Sequence, residues 1–176
     1  MAIGSKQKIT EADRLAADLK RKNQRLVLAE SCTSGLAAAQ LSQTPGVSKF
    51  FCGSFVVYQI DSKHRWLGVS RAIIRKHDVV SAQVAQAMAS GALRKTPHAK
   101  MAGAITGYLG PTGPKDRLGE VWICAMMRDT KKMITQQFFL LPRSRLPARA
   151  ARTRRQRMAS QLLLGVVRSL LTGQSN

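Results

Sequence analysis

An α/β fold in a single domain is the class this chain predicts, on three observations. Short apolar runs at residues 25–29, 55–58 and 101–106 alternate with stretches of helical period, the pattern of parallel strands joined through helical crossovers. Two further strand-like runs, 121–127 and 133–141, are separated only by Arg128-Asp129-Thr130-Lys131-Lys132. That spacing joins them as an antiparallel hairpin and makes the central sheet mixed. With 176 residues and 44% hydrophobic content, the chain can build one core without a second domain or a covalent staple.

Along the chain, Thr10 is an N-cap for a helix to about Lys22, with Asp13 in its first turn and Ala12, Leu15, Ala16 and Leu19 on one face. After the strand at 25–29, Ser34 to Leu41 has the small apolar residues of a packed helix, broken by Gln43-Thr44-Pro45-Gly46. The strand at 55–58 leads through Asp61 into a polar helical turn carrying Lys63 and Trp66 and ended by Gly68. Ser81 caps a helix to about Lys95 whose apolar side is Val84, Ala85, Met88 and Ala92. Residues 107–119, rich in Gly and Pro, form an irregular loop. Pro147 suits a helix start, and Ala159, Leu162, Leu163, Val166, Val167, Leu170 and Leu171 repeat at helical spacing. The last helix therefore docks on the core while its first half stays basic. The first nine and last four residues are expected to be disordered.

Cys32, Cys52 and Cys124 form no CxxC pair, and His64, His77 and His98 stand apart from one another and from them. Neither a disulfide framework nor a metal site is expected. Met1 to Lys8 lacks the apolar core of a signal peptide, and no later run is long enough to span a bilayer, so a cytoplasmic, soluble protein is expected. The net charge of +20 points to an anionic partner or ligand. After Asp129 there is no acidic residue, while Lys131, Lys132 and eight arginines from Arg143 to Arg168 follow. Such a tail attracts phosphate, on a nucleotide or on a nucleic-acid backbone or other polyanion; a solvated basic face accounts for it equally well.

Ser31 and Cys32 stand side by side between a strand and a helix. A serine hydroxyl becomes a nucleophile when a base takes its proton, and a lysine can be that base when burial or nearby positive charge disfavours its ammonium form. The N–H groups of Cys32 and Thr33 are placed to hold an oxyanion. The same Ser-Cys-Thr-Ser run also reads as a plain N-cap, and Cys32 as a small core residue.

Seven segments change those odds together. They are Glu30-Ser31-Cys32-Thr33-Ser34-Gly35; Pro45-Gly46-Val47-Ser48; Gly53-Ser54-Phe55-Val56-Val57-Tyr58; Tyr58-Gln59-Ile60-Asp61-Ser62-Lys63 with Leu67-Gly68-Val69; Val80-Ser81-Ala82-Gln83-Val84-Ala85; Thr106-Gly107-Tyr108-Leu109-Gly110-Pro111; and Arg154-Arg155-Gln156. In this order they resemble the ESCTGG, PGSS, GGxVxY, YSNEAK...LGV, VSxEVA, TGIAGP and VRxQ motifs of the CinA C-terminal domain family, which includes nicotinamide-nucleotide amidases. The resemblance implies a three-layer α/β/α sandwich, a homo-oligomer, and hydrolysis of nicotinamide mononucleotide to nicotinate mononucleotide and ammonia without a metal or organic cofactor. Ser31 would attack the amide carbon, Lys63 would activate it, and Tyr58 would orient or relay protons between them. Cys32 and Thr33 would bind the oxyanion. Gly35, Gly46, Ser48, Thr106, Gly107, Gly110, Arg145, Arg154 and Gln156 are carried over as substrate-binding candidates, with Arg145 and Arg154 for the phosphate. Some members carry a further N-terminal hydrolytic domain, which a chain of this length is not expected to include. Departures fall near the site: Ser34 and Ser54 stand where the family has glycine, Gln59-Ile60-Asp61 where it has Ser-Asn-Glu, and the loop 112–118 is shorter. A changed substrate, or a binding protein without catalysis, is therefore the alternative.

Overall fold

The computed structural model describes residues 9–110, 113–140 and 146–174. The elements run α1 (Glu11–Arg21), β1 (Leu26–Glu30), α2 (Leu36–Ser42), β2 (Phe51–Val56), α3 (Ile60–Leu67), α4 (Arg71–His77), α5 (Ala82–Lys95), β3 (Met101–Gly107), β4 (Glu120–Met127), β5 (Met133–Phe139) and α6 (Ala148–Thr172). The five strands form one mixed sheet in the order β2-β1-β3-β4-β5. The first three are parallel, and β4 runs antiparallel to both β3 and β5.

Period-two alternation in the inner strands divides the interior into two layers. Leu26 and Leu28 of β1, Met101 and Ile105 of β3, and Val121 and Ile123 of β4 pack with residues of α1, α2 and α6. Their neighbours Val27, Ala29, Ala102, Ala104 and Cys124 pack on the opposite face with residues of α3, α4 and α5. The result is the three-layer α/β/α sandwich. All five residues of β1 are buried, as expected for a central strand covered on both faces. Among the described residues no helix is long and apolar enough to cross a membrane.

Local chemistry explains the element ends. At α1, Thr10 Oγ1 accepts from Asp13 N–H while the Asp13 carboxylate accepts from Thr10 N–H, a reciprocal capping box. At α5, Ser81 Oγ accepts from Val84 N–H. Gly173 closes α6 in the left-handed conformation. Apart from Ile9, Gly173 and Gln174, the termini expected to be disordered lie outside the described residues.

Three boundaries differ from the sequence expectation. β2 covers residues 51–56 rather than 55–58, because Leu26 pairs with Phe51 and Val27 with Gly53, so a bulge at Cys52 carries the strand through its Gly-Ser pair. α4 was not foreseen, since its seven residues are too few to establish a period; Ser70 Oγ caps it on Ala72 N–H. α2 starts at Leu36 rather than Ser34, because Ser34 and Gly35 both take positive φ, +53° and +89°. Left-handed backbone costs a non-glycine residue about 1 kcal/mol, and the exposed Ser34 side chain makes no compensating hydrogen bond among the described residues. Ser34→Gly is expected to raise the midpoint of thermal unfolding by about 2–4 °C; a lowered midpoint in a melting experiment would show that the serine is not strained there.

Candidate active site

The site lies beyond the carboxyl ends of the parallel strands, where Ser31 follows β1, Tyr58 follows β2, and Tyr108 follows β3. β2 and β3 flank β1 on opposite sides, so the chain reverses its direction of travel across the sheet here. Open α/β sheets present their binding crevice at this reversal point. A cavity of about 500 Å³ opens there, lined by Ser31, Cys32, Tyr58 to Asp61, Lys63, Val79, Val80, Thr106 to Gly110, Gly113 and Arg152.

Its chemistry centres on one contact. Lys63 Nζ lies 2.8 Å from Ser31 Oγ, 2.8 Å from the Val57 carbonyl and 3.1 Å from the Tyr58 carbonyl. Lys63 is 1% exposed and forms no ion pair with a carboxylate among the described residues. Burial therefore pushes its pKa down to about 8, with only the nearby Cys32 thiol opposing. A neutral amine has two N–H donors and one lone pair. With two carbonyls and one hydroxyl around it, the N–H groups go to the carbonyls and the lone pair faces Ser31.

The turn holding Ser31 is tied to three elements. Ser31 N–H donates to Ile105 of β3 at 3.1 Å, continuing the ladder past the strand end. The carboxylate of Glu30, fully buried, accepts from the N–H groups of Ala37 and Ala38 at 3.1 and 3.0 Å and from Ser54 Oγ at 3.1 Å. Gln156 of α6 donates from Nε2 to the Cys32 carbonyl at 3.2 Å. The N–H groups of Ala37 and Ala38 in the first turn of α2 are thus taken by Glu30. The N–H groups of Cys32 and Thr33 belong to the turn before the helix and have no backbone acceptor among the described residues. The Cys32 thiol is 4% exposed and burial pushes its pKa up to about 12, so it packs as a small apolar group.

The sequence model of the CinA C-terminal domain matches residues 8–163. The chain belongs to the CinA C-terminal domain family. A CinA-like protein of Mycobacterium tuberculosis is 44% identical over 119 residues, which is 66% of this chain and 27% of that protein. A CinA-like protein of Myxococcus xanthus is 42% identical over 110 residues, 61% of this chain and 26% of its own length. The match thus spans about a quarter of the length of these curated relatives. Among solved structures, the competence/damage inducible protein CihA of Agrobacterium tumefaciens superposes with a TM-score of 0.82 at 28% identity, covering 91% of this chain and 93% of that one. A CinA superfamily protein of Escherichia coli gives 0.80 at 26% identity, covering 97% and 99%.

The residues carried over from the CinA motifs fall into three groups. Ser31, Cys32, Tyr58, Lys63, Thr106, Gly107 and Gly110 all line the cavity. Thr33, Gly35 and Gln156 stand behind it in or against the Ser31 turn. Gly46, Ser48 and Arg154 are elsewhere. Gly46 borders a depression with Asp13 and Lys20, and Ser48 another with Arg25 and His98, because the short helical turn 47–49 precedes β2 and so lies at the opposite end of the sheet. Arg154 is on the outward face of α6 with Arg149 and Arg157. Arg145 lies outside the described residues. Of Tyr58, the backbone carbonyl meets Lys63 at 3.1 Å, while the half-exposed ring turns its hydroxyl to Arg152, from which it accepts at 2.6 Å.

Two features of this CinA domain were not anticipated. Asp78, at φ +71°, accepts from Val79 N–H and from the Tyr108 hydroxyl at 2.9 Å, and pairs with Arg117. Arg117 in turn binds Glu120 at 2.6 Å, and Glu120 also accepts from Trp122 and Gln137. This network fixes the cavity wall at residues 106–108, where Thr106 Oγ1 donates to the Val79 carbonyl at 2.9 Å. The second feature is Arg152, which enters the cavity one turn before Gln156. The helical spacing of 152 and 156 is the sequence signal for it.

Proposed function

We propose that this CinA domain is a Ser/Lys amidohydrolase that converts nicotinamide mononucleotide to nicotinate mononucleotide and ammonia. The observation that carries the reading is the 2.8 Å contact between Ser31 Oγ and a buried lysine that forms no ion pair among the described residues. Ser31 Oγ attacks the carboxamide carbon as its proton passes to the Lys63 amine, and the carbonyl electrons move to an oxygen held by the N–H groups of Cys32 and Thr33. Lys63 then gives that proton to the amide nitrogen, the C–N bond breaks, and ammonia leaves an ester on Ser31. A water follows the same route: its proton goes to Lys63, its oxygen bonds to the acyl carbon, and Ser31 departs with the proton returned from Lys63. Ammonia release from nicotinamide mononucleotide by the purified chain, beside Ser31→Ala, tests this directly; no release even at high enzyme concentration counts against it.

A second reading concerns a different surface. Arg149, Arg154 and Arg157 are exposed together on α6 and form no ion pair among the described residues, which favours polyanion binding there. Replacing all three by glutamine is expected to lower the salt concentration at which the protein leaves a heparin column, and unchanged elution would sink this reading.

A further inference from the structure

Resting on the amidase reading of the same cavity, we propose that Arg152 is the specificity residue that reads the substrate's phosphate monoester. Among the described residues two cations line the cavity, Lys63 and Arg152. Lys63 is sealed off at 1% exposure with all its hydrogen-bonding positions occupied by Ser31 Oγ and two carbonyls. Arg152 is the other, half-buried, and its one side-chain hydrogen bond among the described residues runs from Nη2 to Tyr58 Oη at 2.6 Å. A guanidinium has five N–H donors in a planar fork suited to two oxygens of one phosphate. No carboxylate pairs with Arg152 among the described residues, and no acidic residue follows Asp129 in the sequence. Among the described residues the one carboxylate lining the cavity, Asp61, is already bound by Arg71 at 2.7 Å.

The position of Arg152 is built rather than incidental. Arg152 and Gln156 lie one turn apart on the same face of α6, so the face that pins the Ser31 turn also carries the guanidinium into the cavity. Gly110 makes room for it: a Cβ at Gly110 would stand 2.4 Å from Arg152 Nη1. Ile60, Val79, Val80 and Leu109 give the same cavity an apolar lining. A ligand that combines an uncharged amide, a flat apolar body and a dianion matches the hydroxyl, the apolar lining and the guanidinium that this cavity brings together. Among the described residues the cavity supplies no other free cation for the dianion, since Arg154 faces outward.

The test compares nicotinamide mononucleotide with nicotinamide riboside, which lacks the phosphate, in the parent and in Arg152→Ala, Arg152→Lys, Gly110→Ala and Tyr58→Phe. Arg152→Ala is expected to reduce the kcat/KM preference for the mononucleotide over the riboside about ten- to hundredfold, mainly through KM, as for loss of a charge-assisted hydrogen bond. Arg152→Lys should restore part of it, Gly110→Ala should mimic the loss by displacing the guanidinium, and Tyr58→Phe should keep the preference. Equal losses on both substrates in Arg152→Ala would mean that Arg152 only steadies Tyr58, and the proposal fails. Calorimetric titration with ribose 5-phosphate against ribose decides the point without turnover. Parent binding of the phosphate that weakens about ten- to hundredfold in Arg152→Ala supports the proposal, and binding that is absent or unchanged overturns it. If the parent releases no ammonia from either compound yet binds ribose 5-phosphate through Arg152, the amidase reading falls and the phosphate site stands.

Discussion

Ser31→Ala is expected to reduce ammonia release from nicotinamide mononucleotide by at least about 10⁴-fold, as removal of a nucleophile acting with its base does in other hydrolases. The neighbouring thiol cannot take over. Cys32 is 4% exposed and its thiol is held up to about 12, because burial outweighs the pull of the nearby Lys63. The substitution removes one hydrogen-bond partner from Lys63 but leaves its bonds to the Val57 and Tyr58 carbonyls, so the fold should persist. A coupled ammonia assay with a circular-dichroism control checks both statements. Residual turnover above about one hundredth of the parent would transfer the chemistry to a group other than Ser31.

Lys63→Met is expected to be comparably inactive, and Lys63→Arg no better, because a guanidinium stays protonated and offers no lone pair to Ser31. In the parent, the pKa of about 8 makes kcat/KM climb with pH through that value as the neutral amine becomes the main form. Stability follows the same group with a definite sign. The unfolded lysine titrates near 10.5 and the folded one near 8, so between those values the unfolded chain binds more protons and stability rises with pH. Below about 8 the folded state bears the full cost of a buried ammonium, on the order of 3 kcal/mol. Urea titrations at pH 7 and 9.5 should therefore show a rise in the parent that is missing from Lys63→Met. A flat parent curve, or an equal rise in both, would assign the depressed pKa to nothing at Lys63.

Helices with strong caps and long periods were legible in the sequence: Thr10 with Asp13, Ser81, and the apolar repeat from Ala159 to Leu171 each produced the element they announced. The Ser31–Lys63 pair was legible only through the CinA motifs, since 32 positions separate the two and no local pattern joins them. Arg152 was hidden among the arginines of an acid-free tail, because composition does not give helical phase; its spacing to Gln156 separates it from the outward Arg154 only once the docking of α6 shows which face is inward. Gly46 and Ser48 share motif membership with Ser31 but not its end of the sheet, which strand direction decides. Tyr58 was placed correctly at the cavity, yet a sequence does not say whether a side chain or its backbone carbonyl will do the binding.

The three ties on the Ser31 turn have a thermodynamic consequence. Glu30 is locked to α2, Ser31 N–H to β3, and the Cys32 carbonyl to α6, so the hydroxyl cannot wander without parting a sheet from two helices. The disorder that a nucleophile must surrender before it can react is therefore lost once, when the chain folds, and not again at each encounter with substrate.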